Sequence, residues 1–148
     1  MEIETAPARL RALPSWLLNQ SALAAQRLVT DELRAVGAHR SHYAVLAALA
    51  EFGPDSQAAL GRRSGIDRSD MVALMSELVA AGLVERRPDE DDRRRNVVTI
   101  TAAGRRRLRA LDAAVERAQE HLVGPLSEGE RAQLVALLSR VAERGAPA

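Results

Sequence analysis

Residues 62–108 read RRSGIDRSDMVALMSELVAAGLVERRPDEDDRRRNVVTITAAGRRRL, and this stretch decides the fold. Met71, Leu74, Met75 and Leu78 recur every three or four residues, the period of one buried helical face. Asp67 stands where a helix N-cap belongs and Gly82 where a helix stops, so the period predicts a helix from Asp67 to about Ala81. Leu83 to Arg87 then alternates, and Asn96 to Thr101 (NVVTIT) is β-branched, so both predict strands. PDEDDRRR between them is a charged hairpin tip.

Working outward towards the N-terminus, Asp55 or Ser56 can cap a short helix that ends at Gly65, only a few residues before the next one begins. Short helix, glycine turn, longer helix is the pattern of a helix-turn-helix. Before it, Ser41 can cap a helix to Glu51 striped by Tyr43, Val45, Leu46 and Leu49, broken by Phe52-Gly53-Pro54. A longer helix from Pro14 to Val36 carries Trp16, Leu17, Leu18, Leu23, Leu28 and Leu33 and stops at Gly37. Towards the C-terminus, Thr101 opens a long helix bearing Leu108, Leu111, Val115, Ala118 and Leu122, ended by Gly124-Pro125. Ser127 and Glu130 have the spacing of a capping box for a last helix with Leu134, Leu137, Leu138 and Val141. The predicted fold class is mainly α with a small β-hairpin, in the order α-α-α-α-β-β-α-α. That is a winged helix-turn-helix flanked by helices whose apolar stripes the central module cannot bury, and a twofold partner would cover them.

Composition narrows the possibilities. The 148 residues suit one domain with added dimerisation helices, and one Trp, one Tyr and one Phe leave the core aliphatic. The absence of cysteine excludes disulfides, thiolate chemistry and cysteine-rich zinc sites. The acidic start MEIETAPARL does not read as a signal peptide, and no run approaches the ~18 apolar residues of a membrane span, so the expected location is cytoplasmic, away from membranes. The net charge of +1 hides an uneven distribution: residues 1–60 carry −1, residues 61–110 carry +4 and residues 111–148 carry −2. The positive excess falls on the helix-turn-helix and its wing, where a nucleic acid would lie. All 21 basic residues are arginine, whose planar fork grips phosphate with two parallel hydrogen bonds.

From Ser56 to Gly104 the chain resembles the MarR family of bacterial transcriptional regulators. The resemblance is most specific in LVAAGLVER (78–86) and in the wing, where Asp92-Arg93-Arg94 is followed by Val98, Ile100-Thr101 and Gly104. Ile100 stands where the family has Leu. The resemblance implies a homodimer with dimerisation helices in 1–36 and 105–148 and a winged DNA-binding module in 37–104. It also implies a regulator, commonly a repressor, that reads palindromic double-stranded DNA and is released by a small aromatic or anionic effector, without a cofactor.

Candidate residues follow. At the start of the recognition helix, Arg68, Ser69, Asp70 and Ala73 lie on the outward side, and Arg68 can meet a guanine edge or a phosphate. Asp70 can accept from a cytosine amine, orient Arg68 or complete the helix cap. Ala73 and Glu77 occupy positions where the family often carries a base. Ser56 and Gln57 open a helix whose N–H groups can hold a phosphate. In the wing, Arg93, Arg94 and Arg95 suit a narrow minor groove, and the resemblance assigns Arg94 to it with Asp92 bracing the hairpin. The expected effector pocket draws on Trp16, His39, His42, Tyr43 and Arg106. Three histidines with no i,i+4 pair predict no metal site. No phosphate-cradling loop, nucleophile motif or acid–base cluster points to an enzyme. The competing interpretation is a winged-helix protein-interaction module, which Asp70, Glu77 and the four acids Asp89 to Asp92 favour.

Overall fold

The computed structural model describes residues 3–145. Two short turns, a 3-10 turn at Ile3–Thr5 and α1 (Ala8–Arg11), precede the long helix α2 (Pro14–Ala35). They are followed by α3 (Arg40–Phe52), β1 (Asp55–Ser56), α4 (Gln57–Ser64), α5 (Arg68–Ala80), β2 (Val84–Pro88), β3 (Asn96–Ile100), α6 (Ala102–Val123) and α7 (Glu128–Gly145). The expected order holds, with two additions. A helical turn stands at Ala8–Arg11, and the β structure is a three-stranded antiparallel sheet in the order β1-β3-β2. The extra strand is two residues long, too short for any alternation to announce it, and pairs Asp55 with Val98 and Ser56 with Val97.

The chain forms two compact units. Residues up to Leu28 and from Arg117 onward make one; Val29–Glu116 make the other. Val29–Glu116 hold a continuous aliphatic core. Leu33 of α2, Val45, Leu46 and Leu49 of α3, Leu60 of α4, Met71, Leu74, Met75 and Leu78 of α5, Val84, Val98 and Ile100 of the sheet, and Leu111 of α6 are all buried. Helical period and strand alternation converge here: β3 turns Val98 and Ile100 inwards while Thr99 stays exposed. In the unit of terminal segments, α7 buries no residue, and Leu17, Leu18, Leu23, Leu137, Leu138 and Val141 are exposed. Ser127 and Glu130 form the expected capping box, with Glu130 N–H donating to Ser127 Oγ at 3.2 Å and Ser127 N–H to Glu130 Oε1 at 2.9 Å. Those contacts hold the Glu130 carboxyl below its usual range.

Two expected caps differ. Ser41 lies inside α3, whose N-cap is His39; His42 Nδ1 accepts the His39 N–H at 3.0 Å, so an imidazole takes the place that a Glu or Gln side chain has in a capping box. Asp67 is the N-cap of α5, but its side chain makes no cap hydrogen bond. Ser56, by contrast, caps α4 as expected, with Oγ accepting from Ala59 N–H at 3.2 Å.

The turn between α4 and α5 is made by Gly65, left-handed at φ 64° and ψ 32°, where a β-carbon would be strained. The joint between α5, the wing and α6 rests on Thr101 and Gly104. Thr101 Oγ1 donates to Gly82 O at 2.7 Å and accepts the Gly104 N–H at 3.0 Å, while Thr101 N–H donates to Leu83 O at 3.1 Å. Thr101 thus caps α6 and fastens the end of α5 to the end of β3. Gly104 has no room for a side chain: a β-carbon there would overlap the Leu83 carbonyl oxygen and come within 2.7 Å of Ile100 Cγ1. Since backbone must move to admit it, Gly104→Ala is expected to cost about 1–3 kcal/mol, the usual range for overpacking. Urea denaturation checks this, and an unchanged midpoint would show that the joint yields freely.

Candidate nucleic-acid interface

The start of the recognition helix α5, the start of α4 and the root of the wing surround one open cleft of about 900 Å³. Ser56, Gln57, Arg68, Arg94 and Arg95 line it, together with Val72 and Asn96. Five of the residues expected to meet DNA therefore share one concavity. Ser69, Asp70, Ala73 and Arg93 are exposed but lie outside its lining. Ser56 is 8% exposed, because β1 carries it into the sheet, and its carbonyl and hydroxyl set the first turn of α4. Beside it Asp55 accepts Ser56 N–H at 2.8 Å and holds Arg63 at 3.1 Å, and the Arg63 guanidinium stacks 4.4 Å over the Phe52 ring.

The wing tip is a tied turn. Asp92 Oδ1 accepts both the Arg94 N–H and Arg94 Nε at 3.1 Å, Arg95 N–H donates to Asp92 O at 3.0 Å, and Asp89 N–H donates to Arg95 O at 2.8 Å. Asp92 therefore aims Arg94, whose side chain remains 91% exposed, and offsets part of its charge. The side-chain bond from Arg94, and then its backbone N–H, hold the Asp92 carboxyl below the usual aspartate range.

Asp70 lies in the first turn of α5, where its charge faces the positive end of the helix dipole. Among the described residues its carboxylate joins no cap hydrogen bond, consistent with the unused Asp67 side chain. Glu77 is engaged: its Oε2 lies 2.8 Å from His42 Nε2. Because His42 Nδ1 already accepts the His39 N–H, the neutral ring carries its proton on Nε2 and donates it to Glu77. The pair is 35 residues apart in the chain and no spacing rule could have found it.

His39, His42 and Glu77 bring possible metal-ligating atoms within 4.8 Å of one another. Both nitrogens of His42 are engaged, however, and the cluster sits at the positive N-terminal end of α3, where a cation is disfavoured. The arrangement is a clasp between α3 and the recognition helix.

The residues expected around an effector fall in both units. Trp16 lies in the unit of terminal segments, while His39, His42, Tyr43 and Arg106 belong to Val29–Glu116. Tyr43 donates to Asp112 Oδ1 at 2.9 Å, and burial followed by that carboxylate raises its phenol above the usual range, keeping it protonated. Within the same unit a smaller cavity of about 210 Å³ has Leu46, Leu78, Leu83 and Leu111 as walls and His42, Glu77 and Arg107 as its polar groups. Arg107, which donates to Val36 O, lines this cavity, whereas Arg106 does not.

The Asp92 contacts give a pH signature. A carboxyl held below its unfolded value contributes order that is complete above the ordinary aspartate range and is lost as pH falls through the lowered value. The Arg94 amide resonance is therefore expected to titrate below the ordinary aspartate range, and Asp92→Asn to abolish that step. A titration of the Arg94 amide that survives Asp92→Asn would place its origin elsewhere.

Comparison with known proteins agrees with this geometry. Residues 36–95 match the model of the MarR family. The HTH-type transcriptional repressor NicR of Pseudomonas putida is 32% identical over 99 residues, covering 67% of this chain and 63% of that protein. The chain thus spans about three fifths of the length of the curated relatives it matches. Among solved structures, a probable transcriptional regulator from Pseudomonas aeruginosa is 31% identical with a TM-score of 0.77, covering 89% of this chain and 98% of that one. The PcaV transcriptional regulator of Streptomyces coelicolor, in complex with its natural ligand, is 31% identical with a TM-score of 0.69, covering 94% and 98%. The winged helix-turn-helix, the tied wing and these relatives lead to one conclusion: the chain belongs to the MarR family of transcriptional regulators.

Proposed function

We propose that this chain is a non-enzymatic, sequence-specific double-stranded DNA-binding regulator of the cytoplasm. It acts as a homodimeric repressor and is released by a small ligand. The observation that carries this is the shared cleft: the start of the recognition helix, the start of α4 and the wing arginines face one concavity with a positive excess of charge. Arg68 meets a base edge or phosphate in the major groove, Ser56 and Gln57 hold the backbone, and Arg94 with Arg93 and Arg95 enters the flanking minor groove. Ser69, Asp70 and Ala73 complete the outward face of the helix.

The unit of terminal segments supports the dimer. Leu17, Leu18, Leu23, Leu137, Leu138 and Val141 are exposed on α2 and α7, an apolar surface that a second copy would bury. In this reading residues 1–36 and 105–148 serve dimerisation and 37–104 DNA binding, with residues 29–36 and 105–116 also packing into the core of Val29–Glu116.

The 210 Å³ cavity supports ligand control. Its leucine walls suit a small aromatic ring, and Arg107 offers an anionic substituent a partner. A ligand there touches His42 and Glu77, the clasp on the recognition helix, and so disturbs the element that reads DNA. Of the residues the sequence offered for the effector, His42 lines this cavity; Trp16, His39, Tyr43 and Arg106 do not. PcaV, solved with its natural ligand, is a ligand-binding relative.

Fluorescence anisotropy on the DNA immediately upstream of the chain's own coding region tests the proposal. Binding at about 10⁻⁸ M or tighter, beyond that to random duplex and weakening with salt, is expected. Arg94→Ala is expected to weaken binding across sequences and to lower the salt slope by about 1. Binding no tighter than to random duplex there and in a genome-wide fragment selection would sink the DNA assignment in favour of a protein-interaction module.

A further inference from the structure

We infer that Val72 reads the C5-methyl group of a thymine in the major groove, and so sets part of this chain's sequence preference. The inference rests on the DNA-binding function proposed above and assigns a specificity contact within it.

Val72 is 51% exposed on α5, although its neighbour Met71 and the later Leu74, Met75 and Leu78 are all buried. It does not belong to the core stripe. It lines the large cleft with Gln57, Arg68, Arg94 and Arg95. Helix propensity gives no reason for valine there, since its branched β-carbon makes it a poorer helix former than alanine or leucine. Core packing gives none either. Val72 is thus the exposed apolar group that the recognition helix presents to the cleft, where Ile66 is half-buried and Met71 buried beside it. The thymine methyl is the apolar group a base edge offers in the major groove.

The neighbouring side chains leave that contact open. Ser76, one turn further along, turns its hydroxyl back onto Val72 O at 3.1 Å and so does not compete for the base edge. Arg68 precedes Val72 by four residues, and both line the cleft. One helical turn advances about 5.4 Å, against a base-pair rise of about 3.4 Å. The thymine therefore lies one or two base pairs from the base or phosphate that Arg68 meets.

The test begins with selection of duplexes from a random library by the purified full chain. Each dT of the recovered site is then replaced singly by dU, which removes the methyl and keeps the pairing. The wild type is expected to lose about fourfold in affinity at one dT per half-site, the value of one buried methyl group. Val72→Ala, at a half-exposed site where it raises helix propensity, is expected to bind the dT and dU duplexes equally at that position; a circular-dichroism melt verifies that it is folded. If Val72→Ala keeps the wild-type dT/dU ratio at every position, or if the wild type selects a site and is indifferent to every dU, the inference is overturned while DNA binding stands. A wild type that enriches no sequence overturns the DNA-binding function and this contact together.

Discussion

The Thr101 hydroxyl is the joint on which the DNA-facing unit depends. It donates to the carbonyl that ends the recognition-helix turn and accepts the N–H of Gly104 in the first turn of α6. Three elements that meet DNA or carry the chain onward are thereby fastened at one oxygen. The Leu83 carbonyl, which accepts Thr101 N–H, occupies the space a side chain at residue 104 would need. The family pattern of a threonine followed three residues later by glycine therefore has a steric and hydrogen-bonding reason here. Loss of the Thr101 hydroxyl would remove both of its bonds and leave the joint to core packing and the Thr101 N–H, whereas a side chain at residue 104 would push the Leu83 carbonyl aside.

The electrostatics of the cleft are arranged at short range. A net excess of four positive charges over residues 61–110 is modest, and Asp89 to Asp92 lie within it. At the wing the acid is structural: Asp92 closes the turn and points Arg94 outwards. At the recognition helix, Glu77 is held by His42, while Asp67 lines the cleft and Asp70 stands in the first turn beside it. On the proposed function, Arg68 and the wing arginines would act through placement more than through bulk charge, so that affinity would depend on how well the groove fits them.

The helices were legible because their periods, glycines and prolines agree. Met71, Leu74, Met75 and Leu78 are buried as their spacing required, and the Ser127–Glu130 box forms as written. What escaped was long-range or very short. β1 has two residues, so it shows no alternation, and its existence depends on a partner more than 40 residues away. Ser41 looked like the cap of α3, but His39 and His42 took that role through a ring nitrogen, which cap preferences do not anticipate. The Arg105-Arg106-Arg107 run could not reveal which guanidinium faces inwards, because successive helix residues point about 100° apart; Arg107 does. Val72 escaped for the opposite reason: it broke the core stripe by one residue and resembled an ordinary surface valine.

The two-residue strand β1 has a mechanical consequence. Through Asp55 and Ser56 it joins the start of α4 to the central strand β3, whose other edge carries the wing strand β2. One hydrogen-bonded ladder therefore spans from the start of α4 to the wing, which restrains the two from swinging independently. On the proposed contacts of Arg68 and Arg94, the duplex would adapt instead. Base steps that neither touches would matter through their stiffness and minor-groove width, a stretch that narrows easily between them being favoured over one that resists.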